Sequence, residues 1–402
     1  MSARAEPSAT VTDLPGPRGL ARLRTWAVRV VAVYLLTRLF SAVLLLIAAA
    51  HQGPNPWAQD PTYVQFTVLW WDAGWYERIA DGGYPLPVPL GTQSSWAFFP
   101  LYPVLVRALM WVTGAGFAVV APTLSLVAGT VAAAALARVV REQGERAGVS
   151  PAAARRRGLA VVLLLGLFPA APVLQAAYAD ALALAWVVLA LLLLGRRRYL
   201  LAVLPVLALG LTRPVALPFV LVVAWHAYRR RRCDPPSRGE WRALATLGLA
   251  SVVAGLAWPA VTGIAAGRWD AYLVVQEAWR SGDAVAPVAA WFSFAIGYLG
   301  GWGVPAVLLA VVAGVAVVAV PAARRLGTDL RAWSAAYLGW LLVAVQPHSS
   351  TIRQLVLAVG IPVVLVGDSR VRLAALATFS AVCQVAWVMV LWRLGLAYGW
   401  PP

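Results

Sequence analysis

Apolar positions along the 402 residues gather into long runs, and polar residues punctuate them in short clusters. Apolar stretches lie near 26–50, 117–139, 158–175, 179–195, 199–212 and 214–228. Others follow near 243–265, 299–321, 331–346, 354–367 and 371–393. This pattern predicts an all-α, polytopic membrane fold with about eleven transmembrane helices. Several runs fall short of the roughly 20 residues that a perpendicular crossing needs, as expected where helices break or stop at a cavity inside the protein. Residues 26–402 are predicted to form a single integral-membrane domain, preceded by a basic tail over 1–25. The apolar run after that tail is too long for the core of a cleaved signal, which predicts a retained anchor. Segment 51–116 is too long for a simple connection and is rich in aromatic residues. Helices lying at the membrane interface are predicted there over 63–81 and 103–114, with Gly82-Gly83 ending the first.

Composition supports lipid as the main solvent: 61% of residues are hydrophobic, 12% are charged and the mean hydropathy is +0.75. All 33 basic residues are arginine, a bias that suggests a high-GC bacterial genome. The net charge of +17 does not point to nucleic acid, because the arginines sit in clusters between apolar runs. Clusters within 138–157, 196–198, 229–242, 324–331 and 368–372 all fall on the same side of the predicted fold as the tail. The positive-inside rule makes that side cytoplasmic. Cys233 lies in an arginine-rich loop and Cys383 in an apolar run, so neither a disulfide nor a metal motif is predicted.

The opposite, extracytoplasmic side of what is predicted to be a bacterial plasma-membrane protein receives Asp60, Asp72, Glu77, Asp81, Asp180, Asp270, Glu277 and Asp283. The chemistry is expected there. Asp72 sits in "VLWWDAGWYERIADGGYP" (68–85), beside Trp70, Trp71, Trp75 and Tyr76. It could cap a helix within an aromatic belt. Alternatively, it could act as a partly desolvated base beside sugar-stacking rings. "SSWAFFPLYPVLVR" (94–107) adds Tyr102 in what is otherwise a rigid proline corner. Tyr178 and Asp180 occupy an outer helix hairpin, where the acid could contact an acceptor hydroxyl or cap the returning helix. Arg213, far from the cytoplasmic clusters, requires an anionic partner, either Asp180 or a phosphate. In "VQPHSSTIRQLVLAVGIP" (345–362), Ser349, Ser350 and Thr351 precede a predicted helix with Arg353 in its first turn. That arrangement suits a phosphate, and ordinary capping is the alternative. His348 is a candidate phosphate or acceptor contact, or a structural hydrogen-bonding group.

A carboxylate base, aromatic platforms and two arginines together fit glycosyl transfer from a lipid-linked phosphosugar. The phosphate is already a good leaving group, so a single base suffices, unlike the paired carboxylates of glycosidases. No D-x-D motif is present, and no metal or other cofactor is expected.

"WDAGWYERIADGGY" followed by "WAFFPLYP" resembles the first luminal loop of the PIG-V mannosyltransferases. "FPAAPVLQAAYADAL" and "GLTRPVALP" resemble that family's later motifs, in the same order. The resemblance covers roughly residues 70–220. It departs at Asp180, where the family often has Glu, and at "TRPVA", which lacks the family's Arg-Ser-Asn-Gly pattern. It implies a GT-C glycosyltransferase fold, Asp72 as catalytic base, a polyprenyl-phosphate-mannose donor and an α-linked product. The acceptor would be an envelope glycolipid, lipoglycan or glycoprotein. "HSSTIRQ" matches the family only loosely, so it is the physical argument that has Arg353, with Arg213, His348 and Ser350, contact the donor phosphate, while Trp71, Trp75, Tyr76, Tyr102, Tyr178 and Asp180 shape the sugar and acceptor site. A lipid-sugar flippase, or the same fold transferring a different sugar, are the alternatives.

Overall fold

The structure is a computed structural model that describes residues 17–54, 61–280, 286–321, 323, 327–348 and 350–393. The tail before residue 17, Asp60, Asp283, Arg324, Arg325 and Ser349 lie outside the described residues.

Helices account for nearly all of the fold, and no strand occurs among the described residues. The first is α1 (Pro17–Ala50), followed by α2 (Tyr63–Val68), α3 (Asp72–Gly82) and α4 (Leu101–Thr113) of the long loop. Next come α5 (Phe117–Arg146), α6 (Pro151–Leu167), α7 (Asp180–Gly195), α8 (Tyr199–Gly210) and α9 (Pro218–Cys233). The second half holds α10 (Arg238–Ala266), α11 (Ala271–Ala278), α12 (Ala289–Leu299), α13 (Gly303–Ala319) and α14 (Thr328–Ala344). The chain finishes with α15 (Thr351–Gln354), α16 (Ile361–Val366) and α17 (Arg370–Trp387).

Among the described residues, five helical stretches are long and apolar enough to cross a membrane: Leu23–Ala50, Phe117–Arg146, Arg238–Ala266, Ala289–Ala319 and Arg370–Trp392. They expose leucine and valine outward, as Leu36 and Leu39 of α1, Leu249 of α10 and Leu309 of α13 show. Such a belt is costly in water and ordinary in lipid. The shorter helices have a different role. Apolar on all sides, α7 is buried among α5, α8 and α14, so it is a core helix rather than a lipid-facing one. Packing against α10, α8 brings Gly210 so close that a Cβ there would lie 2.2 Å from the Ala254 carbonyl oxygen. Small residues of this kind let membrane helices approach closely.

Three predicted spans change shape. The stretch 158–175 ends as a helix at Leu167 and continues in turns and a 3-10 segment over Ala171–Leu174. The stretch 354–367 is broken into a 3-10 turn and the six-residue α16. By contrast, α12 and α13 join through a 3-10 turn into one long stretch that begins before the predicted 299–321.

Loop partners sort the chain ends into two groups. The arginine-rich loops bond to one another: Arg196 to Glu142, Arg197 to Asp234, Arg157 to Asp368. The aromatic loops likewise bond among themselves. The Ala177 amide donates to the Thr67 carbonyl, the Leu101 amide to the Leu211 carbonyl, and the Trp258 indole to the Trp96 carbonyl.

Candidate functional site

At the aromatic end, the predicted helix over 63–81 is two helices set apart by residues 69–71. Trp71, between them, has φ 57 and ψ −127, a conformation disfavoured for a residue with a bulky side chain. Holding it costs on the order of 1–3 kcal/mol, so surrounding contacts must enforce it. Two are evident. The Trp71 indole donates to the Trp392 carbonyl at 3.2 Å. The Tyr178 hydroxyl accepts from the Asp72 amide at 3.2 Å and donates to the Trp70 carbonyl at 3.4 Å. Asp72 is thereby the first residue of α3 rather than its cap, and its side chain is directed to a charge instead of to backbone amides.

That charge is Arg353, whose Nη1 lies 2.8 Å from Asp72 Oδ2. Its Nε is 4.0 Å from Asp180 Oδ1, and Asp180 Oδ1 in turn meets Arg213 Nη1 at 2.9 Å. The Arg353 guanidinium also lies over the Tyr178 ring, 5.1 Å from its centroid. Two acids and two arginines thus form a continuous chain. Burial pulls the Arg353 pKa down, but the charges of Asp72 and Asp180 outweigh it and raise the net value above the ordinary arginine range. Burial likewise pushes the Tyr76 and Tyr178 hydroxyls up, keeping both neutral. Arg353 Nε and Nη1 and Asp180 Oδ2 have no aligned hydrogen-bond partner among the described residues. The chain is therefore held by charge, with polar valences left over.

A cavity of about 1270 Å³ opens over this chain. Its wall includes Asp72, Arg213 and Arg353, with His348 and Ser350, Trp71 just before α3, and Trp75 and Tyr76 along it. No protein-family model and no curated protein matches this chain. Its chemistry must be read from the cavity itself.

Three candidate contacts sit behind the wall. Tyr102 is fully buried, its hydroxyl 2.9 Å from both the Ala121 carbonyl and Ser125 Oγ, so it ties α4 to α5 rather than facing a sugar. Tyr178 supports the Asp72 backbone from below. Asp180 is fully buried and backs Arg213 and Arg353. The helix expected after Ser350 is the one-turn α15, too short for an appreciable dipole, so any affinity for an anion there rests on Arg353 and not on free helix amides. Ser350 makes no capping bond and lines the cavity. His348 is lowered below its ordinary imidazole value, first by partial desolvation and then by Arg353.

The cavity also recruits side chains that the motifs did not single out. Trp279 meets Trp75 edge-on at 5.1 Å, and Arg78, Arg280, Trp340 and Phe294 share the lining. Arg280 carried the same signal as Arg213, an arginine outside the basic clusters on the acid-bearing side. Trp340 and Phe294 look like any aromatic residue in an apolar run.

Proposed function

We propose that this cavity is the active centre of an inverting glycosyltransferase using a polyprenyl-phosphate-mannose donor. The supporting observation is the Asp72–Arg353–Asp180–Arg213 chain, set in the wall of a cavity large enough for a sugar, its phosphate and an acceptor. Asp72 takes the proton of an acceptor hydroxyl as that oxygen attacks the anomeric carbon. The bond from that carbon to the phosphate oxygen breaks with inversion, and polyprenyl phosphate leaves. Arg213 and Arg353, with His348 and Ser350 at their edge, face the departing charge. Each arginine keeps a protein carboxylate as partner, so the phosphate arrives at a preformed, balanced array rather than at bare cations. Trp71, Trp75 and Tyr76 supply apolar faces for the sugar ring. Phe294 and Trp340 line the side bordered by α12 and α14, where a prenyl chain would leave for lipid.

The reading includes a GT-C-type arrangement of about eleven spans and a site on the extracytoplasmic face of a plasma membrane. The resemblance of "WDAGWYERIADGGY" to the PIG-V loop agrees with the carboxylate that the cavity exposes. Incubating purified protein with polyprenyl-phosphate-mannose and envelope glycolipids should yield a new glycosidic bond, which a flippase would not make. Asp72→Asn should lower transfer by about 10²–10⁴-fold, because an amide cannot accept the proton. Wild-type turnover in that variant would remove Asp72 from the mechanism.

A further inference from the structure

The cavity wall carries four arginines and two acids among the described residues. Arg213 and Arg353 are matched by Asp180 and Asp72. Arg78 and Arg280 are not: neither forms an ion pair among the described residues, although Glu277 lies one turn before Arg280. Both share the cavity wall with the Trp75–Trp279 pair. The Arg78 guanidinium lies 4.7 Å from the Trp75 ring centroid, and Arg280 directly follows Trp279. Asp72 and Arg78 share α3, six residues and therefore about 9 Å of helix axis apart.

We propose that Arg78 and Arg280 form a second anion site in this cavity, which binds a phosphate diester carried by the acceptor about one and a half helical turns from the hydroxyl presented to Asp72. The site stands on the cavity, and the assignment of its ligand to the acceptor rests on the proposed transfer. Glu77 shares the wall and Glu277 acts on Arg280, so the charge of the two arginines is partly offset and suits a monoanionic diester better than a dianion. Guanidinium forks suit phosphate oxygens. Partial burial pulls Arg280 below the ordinary arginine value, so an arriving anion restores an interaction that burial removed. The Trp75–Trp279 pair in the same wall offers a face for the ring next to the phosphate.

Tryptophan fluorescence of the purified full-length protein in neutral detergent can test this with three probes: lysophosphatidylglycerol, a phosphate-free monoacylglycerol and decaprenyl phosphate. Arg78→Gln/Arg280→Gln should weaken lysophosphatidylglycerol binding about tenfold or more, the loss expected for charged hydrogen bonds. It should also flatten the salt dependence, and leave decaprenyl phosphate within about twofold. Arg280→Lys should retain part of the affinity, and Arg107→Gln, on the exposed face of α4, none of the effect. Unchanged lysophosphatidylglycerol binding overturns the site. Equal weakening of monoacylglycerol binding, which involves no phosphate, overturns its charge selectivity, and loss of decaprenyl phosphate instead gives the pair to the donor and overturns the acceptor assignment. Asp72→Asn should bind lysophosphatidylglycerol within about twofold of wild type while failing to transfer, which separates this inference from the catalytic one.

Discussion

The two ends of the helix bundle are built from the same partners, arginine and carboxylate, under opposite solvation. At the basic end, Arg197 and Asp234 meet at 2.5 Å with both side chains about half exposed, at 54% and 53%. At the cavity end, Arg213 is 14% exposed and Asp180 is fully buried. Water screens the first pair, so either member can be lost cheaply. In the second, each charge depends on its partner, because an uncompensated buried ion is far costlier than the pair. One pair at the basic end resembles the cavity's. His226 Nδ1 lies 2.9 Å from Asp329 Oδ1, both are buried, and they join α9 to α14. Burial, not the end of the molecule, therefore decides what a pair is worth.

The largest effects should come from the cavity chain, and two substitutions divide it. Asp72→Asn removes the proposed proton acceptor while Arg353 keeps Asp180 nearby, so the proposed transfer should collapse with little change in melting temperature. Asp180→Ala strands Arg213 and leaves Arg353 with Asp72 alone, and should cost about 3–5 kcal/mol of stability, read as a lower midpoint in thermal unfolding in detergent. A small shift in that midpoint would mean that water or lipid headgroups reach the chain, and the contrast between the ends would disappear.

The matching substitution at the basic end, Arg197→Gln, should change stability by no more than about 1 kcal/mol. Added salt should erase even that difference. A cost comparable to that of Asp180→Ala would show that the basic loops are locked together rather than merely gathered.

Local features of the cavity were legible in the sequence, and its long-range pairings were not. The glycines at 82–83 mark the end of α3, whereas its start at Asp72 was hidden inside the single helix expected over 63–81. Arg213 announced itself as an arginine needing an acid, and Asp180 was one of its two proposed partners. Nothing local, however, says that Arg353 reaches across 281 positions to Asp72, since that contact depends on how α14 and the residues after it pack against α7. Tyr102 misled for a related reason: an aromatic hydroxyl in a motif reads the same whether it faces a cavity or bonds to the neighbouring helix. The one-turn α15 was missed because the apolar run after Arg353 hides the breaks near Ala358 to Gly360.

The smallest expected effect falls at the rim, where the comparison between the ends is sharpest. His348 lines the cavity yet is exposed, so it shares the site's location and the basic end's solvation. Desolvation and Arg353 both lower its pKa, so it is neutral at pH 7 and gains a proton only below the usual imidazole range near 6.5. Above that range its charge does not change, so His348→Gln should leave the shape of the pH–rate profile unaltered from about pH 6.5 to 8. As pH falls further, the wild type alone acquires a cation beside Arg353, so the two profiles should separate only on the acid limb. Separation above neutrality would mean that the imidazole titrates under the influence of a nearby acid rather than of Arg353, and the rim would then belong with the buried chain.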